Sequence, residues 1–139
     1  MACNALIASE LQSRINRATK ETEQNYQIAL EELRELKTKI NDLELVIADN
    51  AYAKTSGDKD KLDSAIDKLI KFTDFMISES ERAWEEYRTL ERDCRKGASE
   101  PSDVNAQMNA LRDLCKKTDE FATDLLCYSL AHFKRKVAD

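Results

Sequence analysis

At 139 residues the chain can bury one sizeable core and is short for two, so a single domain over residues 1–139 is expected. Charged residues make up 35%, and only Gly57, Gly97 and Pro101 punctuate the chain, which leaves too few reversal points for a many-stranded sheet. The net charge of −5 argues against a nucleic-acid or anionic-membrane surface, because both need clustered cations.

No apolar run approaches the roughly 20 residues of a bilayer span, and Met1 to Glu10 lacks the basic start and apolar stretch of a secretory signal. Cys3, Cys94, Cys115 and Cys127 are widely separated and form no Cys-x-x-Cys pair. They read as free thiols in a reducing compartment, and an intracellular, cytoplasmic protein is expected.

The first helical segment spans about 4–53. Its seam is Leu11, Ile15, Ala18, Thr22, Tyr26, Ala29, Leu33, Leu36, Ile40, Leu43 and Ile47. Steps of four and three alternate except at Ala18, Thr22 and Tyr26, where two fours fall together as a stutter that locally relaxes a supercoil. At 1.5 Å per residue this helix would be roughly 75 Å long, against roughly 55 Å for the others. Leu6, Ile7 and Leu11, near its start, are candidates to meet a second chain.

Thr55-Ser56-Gly57-Asp58 closes that segment, and a second follows over about 60–96. Its four-three seam is unbroken through Leu62, Ile66, Leu69, Thr73, Met76, Ser80, Ala83, Tyr87, Leu90 and Cys94. Ile70, Ile77 and Trp84 add a stripe on one flank, and Ala65 and Phe72 widen the other, so this helix should face two partners.

After Gly97 to Pro101, Ser102 and Asp103 can cap a third segment over about 102–137. Its seam is Val104, Met108, Leu111, Cys115, Thr118, Ala122, Leu125, Ser129 and His132, flanked by Leu114, Phe121, Leu126, Tyr128 and Phe133. Short turns between consecutive long helices predict an all-α, up-down-up antiparallel three-helix coiled-coil bundle with an overlong first helix. The apolar halves should meet at one end, with Leu43, Leu45, Val46 and Ile47 in a dense core. The opposite end, carrying Asn16, Thr22, Asn25, Ser80 and Thr118, should pack more loosely.

Nothing in the pattern supplies catalysis, and the chain reads as a non-enzyme. His132 is the only histidine, so a di-iron bundle is excluded, and Cys127, five residues earlier, points away from it. Cys3, Cys94 and Cys115 would gather loosely at the polar end of the bundle, where three thiolates can bind a metal, but buried packing accounts for them without one. Gly-rich phosphate loops and nucleophile elbows are missing from the sequence, so no cofactor or metal is expected. Phe75, Cys127 and Leu130 fall off the inward arcs of their helices, which suggests a protein partner, either a second copy forming a homodimer or a helix of another protein.

Two alternatives stand beside that interaction or scaffold reading. One is a small-ligand bundle with a pocket among Trp84, Tyr87 and the seam hydroxyls, although no small-molecule substrate is evident. The other follows from Ala83-Trp84-Glu85-Glu86-Tyr87, whose W-x-x-Y on a charged helix resembles the N-terminal helical segments of gag-like retroelement proteins. The resemblance covers five residues and implies an assembly segment of a larger structural protein. Bundles of this kind also recur in spectrin-like repeats and syntaxin-type regulatory domains.

Overall fold

A computed structural model describes the backbone over residues 2–49, 57–96 and 102–138, and the side chains over 9–49, 57–95 and 104–133. The chain forms three helices, α1 (Ala2–Asp49), α2 (Asp58–Lys96) and α3 (Ser102–Ala138). Each packs against the other two as a three-helix bundle, and no strand occurs among the described residues. At 48 residues α1 is the longest, against 39 for α2 and 37 for α3.

Gly57 sets the start of α2. Its φ of 77° lies in the left-handed region, which L side chains adopt only at a cost, and its carbonyl accepts the bond from Lys61 N at 3.0 Å. Asp58 and Asp60 then place negative charge at the positive end of the helix dipole. As a result α2 begins two residues earlier than its apolar periodicity predicts.

The stutter does not break α1. There, neighbouring residues meet different partners: Asn25 donates to Glu79 of α2 at 2.9 Å, while the Tyr26 ring meets Phe121 of α3 edge-on at 5.8 Å.

The core forms two clusters. The upper one joins Ala29, Leu36 and Ile40 with Ala65, Leu69, Phe72 and Met76, and with Phe121, Ala122 and Leu125. The lower one joins Leu11, Ile15 and Ala18 with Ala83, Leu90 and Cys94, and with Val104, Met108, Leu111 and Cys115. A loose lower end is therefore incorrect, because Ile15, Ala18, Ala83 and Cys115 are all fully buried there. The reason is that small and large residues alternate across the three seams, so side chains of modest volume still interdigitate.

Three of the polar seam residues sit between the clusters as a middle layer. Thr22, Ser80 and Thr118 are buried, and Thr118 Oγ1 donates to the Leu114 carbonyl at 2.8 Å. At the edge of the layer Arg82 grips Glu79 through two bonds of 3.0 and 2.7 Å and Glu86 through one of 2.6 Å. Ser80 Oγ donates to Asp119 of α3 at 3.5 Å, so the layer ties α1, α2 and α3 at one height. Sliding α1 or α3 by one turn against α2 would break the Asn25–Glu79 or the Ser80–Asp119 bond, the ones in this layer that cross between helices, which favours a single register.

Candidate interaction surfaces

Apolar side chains left at the surface form two faces beside α2. Phe75 marks the first, at 60% exposure. It borders a shallow cleft of about 430 Å³ between α1 and α2, lined also by Glu32, Leu36, Lys68, Lys71 and Phe72. Ile28 stands one helical turn before Glu32 on the same side of α1 and is 62% exposed, so it extends this face.

Leu126, Leu130 and Phe133 form the second face, at 39%, 48% and 46% exposure. Their spacing of four and three residues aligns them on one stripe of α3. Which stripe is settled by its neighbours. The side of α3 toward α1 carries Phe121 against Tyr26, Tyr128 under Lys37 Nζ at 5.0 Å, and His132 near Glu44. Asp119 instead receives the bond from Ser80 of α2, and Leu126 and Phe133 follow it at heptad steps. The stripe thus lies on the flank toward α2, where Ile70 and Ile77 are half-buried.

Leu126 and Phe133 read from their spacing as inner flanks, and the structure corrects this. With only two partner helices, the arc of α3 that can be covered is narrower than its apolar arc. Leu45 and Val46 depart from expectation for the same reason, being exposed while Leu43 and Ile47 on the seam are half-buried. Ile28, which belongs to no seam, is a further exposed residue that seam periodicity passes over.

Phe75, Cys127 and Leu130 are all exposed. Leu11, in contrast, is buried in the lower core cluster with Cys94 and Val104 among its members, because α2 and α3 both reach its level. It is thus unavailable as a surface contact. Leu6 and Ile7 lie outside the residues whose side chains are described, as do Cys3, Val137 and the basic cluster Lys134 to Lys136.

Trp84 and Tyr87 stack edge-on at 5.7 Å and pack against the lower core. Further clefts of about 570 and 150 Å³ open along the outer face of α1 and beside Arg14, Arg17 and Leu90. Neither these nor the Phe75 cleft is lined by Trp84, Tyr87, Thr73, Ser80, Thr118 or Ser129.

The titratable groups serve packing. Burial opposes ionisation of Glu79, but hydrogen bonds from Arg82 and Asn25 and the Arg82 charge outweigh it and hold the carboxyl below its ordinary value. Burial pushes the Cys115 thiol up to about 11, so it stays protonated at neutral pH and donates to the Ala83 carbonyl at 3.4 Å. The Tyr128 phenol is raised by burial and by the nearby Glu44 charge. His132 is buried with Nδ1 3.3 Å from Glu44 Oε1, and its ring meets Tyr128 edge-on at 4.5 Å. Cys127 is exposed and the imidazole is not, so the two form no nucleophile pair.

Among the described residues no group of three or more histidine, cysteine, aspartate or glutamate side chains is arranged to hold a metal ion. No described helix is long and apolar enough to cross a membrane. Comparison with protein-family models, with curated proteins and with solved structures returns no match.

Proposed function

We propose that this chain is a non-enzymatic protein–protein interaction or scaffold module that works by self-association or by docking a helix of another protein. The observation that carries this is the stripe of Leu126, Leu130 and Phe133, three large apolar side chains held exposed in a row on a rigid helix. Aligned apolar residues rimmed by polar ones are what a partner helix buries, whereas singly scattered ones need no partner. Phe75 and Ile28 supply a second, smaller contact on the α1/α2 side. Cys94, Cys115 and Cys127, none of them in a disulfide, fit a protein working as one domain in the reducing cytoplasm.

Light scattering on the purified chain tests self-association. The expected result is a mass above the 15.9 kDa monomer that returns to it in Phe75→Ser/Leu130→Ser. A strict monomer at high concentration removes self-association and leaves docking of another protein's helix. If a monomeric native chain and the double variant also retain the same proteins in a pull-down, the module reading fails.

A further inference from the structure

The cleft between α1 and α2 carries one arrangement twice, once on each helix, with the charges reversed. On α1 the exposed Ile28 is followed one turn later by Glu32, and on α2 Lys71 stands one turn before the exposed Phe75. Because the helices are antiparallel, the two pairs stand side by side at matching heights. The bond from Asn25 to Glu79 fixes the level. Three residues on from Asn25 is Ile28, and three back from Glu79 is Met76, beside Phe75; seven on is Glu32, and seven back is Phe72, beside Lys71. Glu32, Lys68, Lys71 and Phe75 accordingly line the same cleft.

This face lies away from α3, which packs on the reverse side, where Phe121 meets Tyr26 and Phe72 edge-on at 5.8 and 6.3 Å. Glu32, Lys68 and Lys71 are exposed, and among the described residues none of them is in an ion pair. Arg82, lower on α2, is already held by Glu79 and Glu86. The face therefore offers a carboxylate on one helix and two ammonium groups on the other, around an apolar centre of Ile28 and Phe75.

We propose that this face docks a second copy of the chain about a two-fold axis parallel to the bundle, so that α1 of each copy lies on α2 of the other. Such a rotation keeps heights and exchanges left for right. It sets Ile28 of each copy against the partner's Phe75, and Glu32 against the partner's Lys71, with Lys68 one turn along, and each contact occurs twice. Apolar groups then cover apolar groups, and carboxylates meet ammonium groups. The other two-fold, running across the helices, lays α1 on α1 and α2 on α2, so it sets Glu32 against neither lysine. A helix of another protein would have to bring this complementarity with it, whereas a second copy carries it already.

The proposal rests on the interaction-module reading and names the surface for its self-association half. The contact is short and suits a weak dimer, so mass is followed by light scattering on the full chain up to about 1 mM. Ile28→Ser or Phe75→Ser should weaken association about tenfold or more, and Leu130→Ser should leave it unchanged. Glu32→Lys alone and Lys68→Glu/Lys71→Glu alone should each weaken it about tenfold, because each reversal acts twice across the axis. Mixed in equal amounts, the two charge variants should associate about as tightly as the native chain, since each then meets its complement in both contacts. Within either chain the altered charges stay mismatched, so recovery on mixing reads the contact between copies and not the fold. All these side chains are exposed, so circular dichroism of every variant should match the native chain. A strict monomer throughout overturns the proposal and leaves the docking of another protein's helix. A dimer that Leu130→Ser dissociates and Phe75→Ser does not overturns it in favour of the α3 stripe, with the module reading intact. Charge variants that associate alone at native strength, or that fail to recover on mixing, overturn it as well.

Discussion

Thr22 offers a direct measure of what the middle polar layer costs. Its side chain is 1% exposed, yet Oγ1 has no hydrogen-bond partner among the described residues. Thr118, equally buried on α3, donates to the Leu114 carbonyl at 2.8 Å, so the two threonines differ mainly in that bond. A buried hydroxyl without a partner costs about 1–3 kcal/mol, and valine replaces it with a methyl of the same shape and similar helix propensity. Thr22→Val should therefore stabilise the fold by about 1–2 kcal/mol, a rise of about 3–8 °C in Tm for a chain of this size. Thr118→Val gives up a made bond and should be neutral or lose up to about 1 kcal/mol. Urea titration followed by circular dichroism at 222 nm, with m unchanged, reads both. If Thr22→Val costs 1 kcal/mol or more, or the two variants behave alike, the hydroxyl is engaged and the reasoning about the layer is wrong.

Ile15→Ala and Ile40→Ala, at sites that are both 0% exposed in opposite clusters, should each cost about 2–5 kcal/mol in the same titration; a much smaller loss at Ile15 would restore a loose lower end. Glu79→Gln should lower stability at pH 7 by about 1–2 kcal/mol. Because the folded carboxyl titrates below its unfolded value of about 4.5, its contribution is complete above that range and is lost as pH falls through the folded value, so the native and variant curves should converge in acid. A constant gap down to acid unfolding would contradict the network. Iodoacetamide at pH 8 should modify Cys127 rapidly while Cys94 and Cys115 stay protected until denaturant is added, since both are buried and the Cys115 thiol is raised to about 11; mass spectrometry of the peptides reports the order.

The candidate surface was only partly legible before the fold was known. Phe75 and Leu130 sit so far off their seams that no two-partner packing covers them, and both are exposed. Leu126 and Phe133 lie near the seam edge, where coverage depends on how closely α2 approaches. Leu11 illustrates the opposite case: an early residue of an overlong helix reads as overhang, but α2 and α3 extend far enough to bury it.

What the amino-acid order determined by itself was the fold: three helices, their approximate limits, and the up-down-up packing that follows from short turns. Helical periodicity is a local property, written residue by residue in the spacing of apolar side chains, and it survives any error in their neighbours. The tertiary structure decided the relative heights of the helices. Those heights set Thr22, Ser80 and Thr118 midway as a layer between two cores, and left Leu126, Leu130 and Phe133 exposed on the flank of α3 toward α2. Such alignments join residues from separate helices, and a seam read along one helix contains no information about the height of the next.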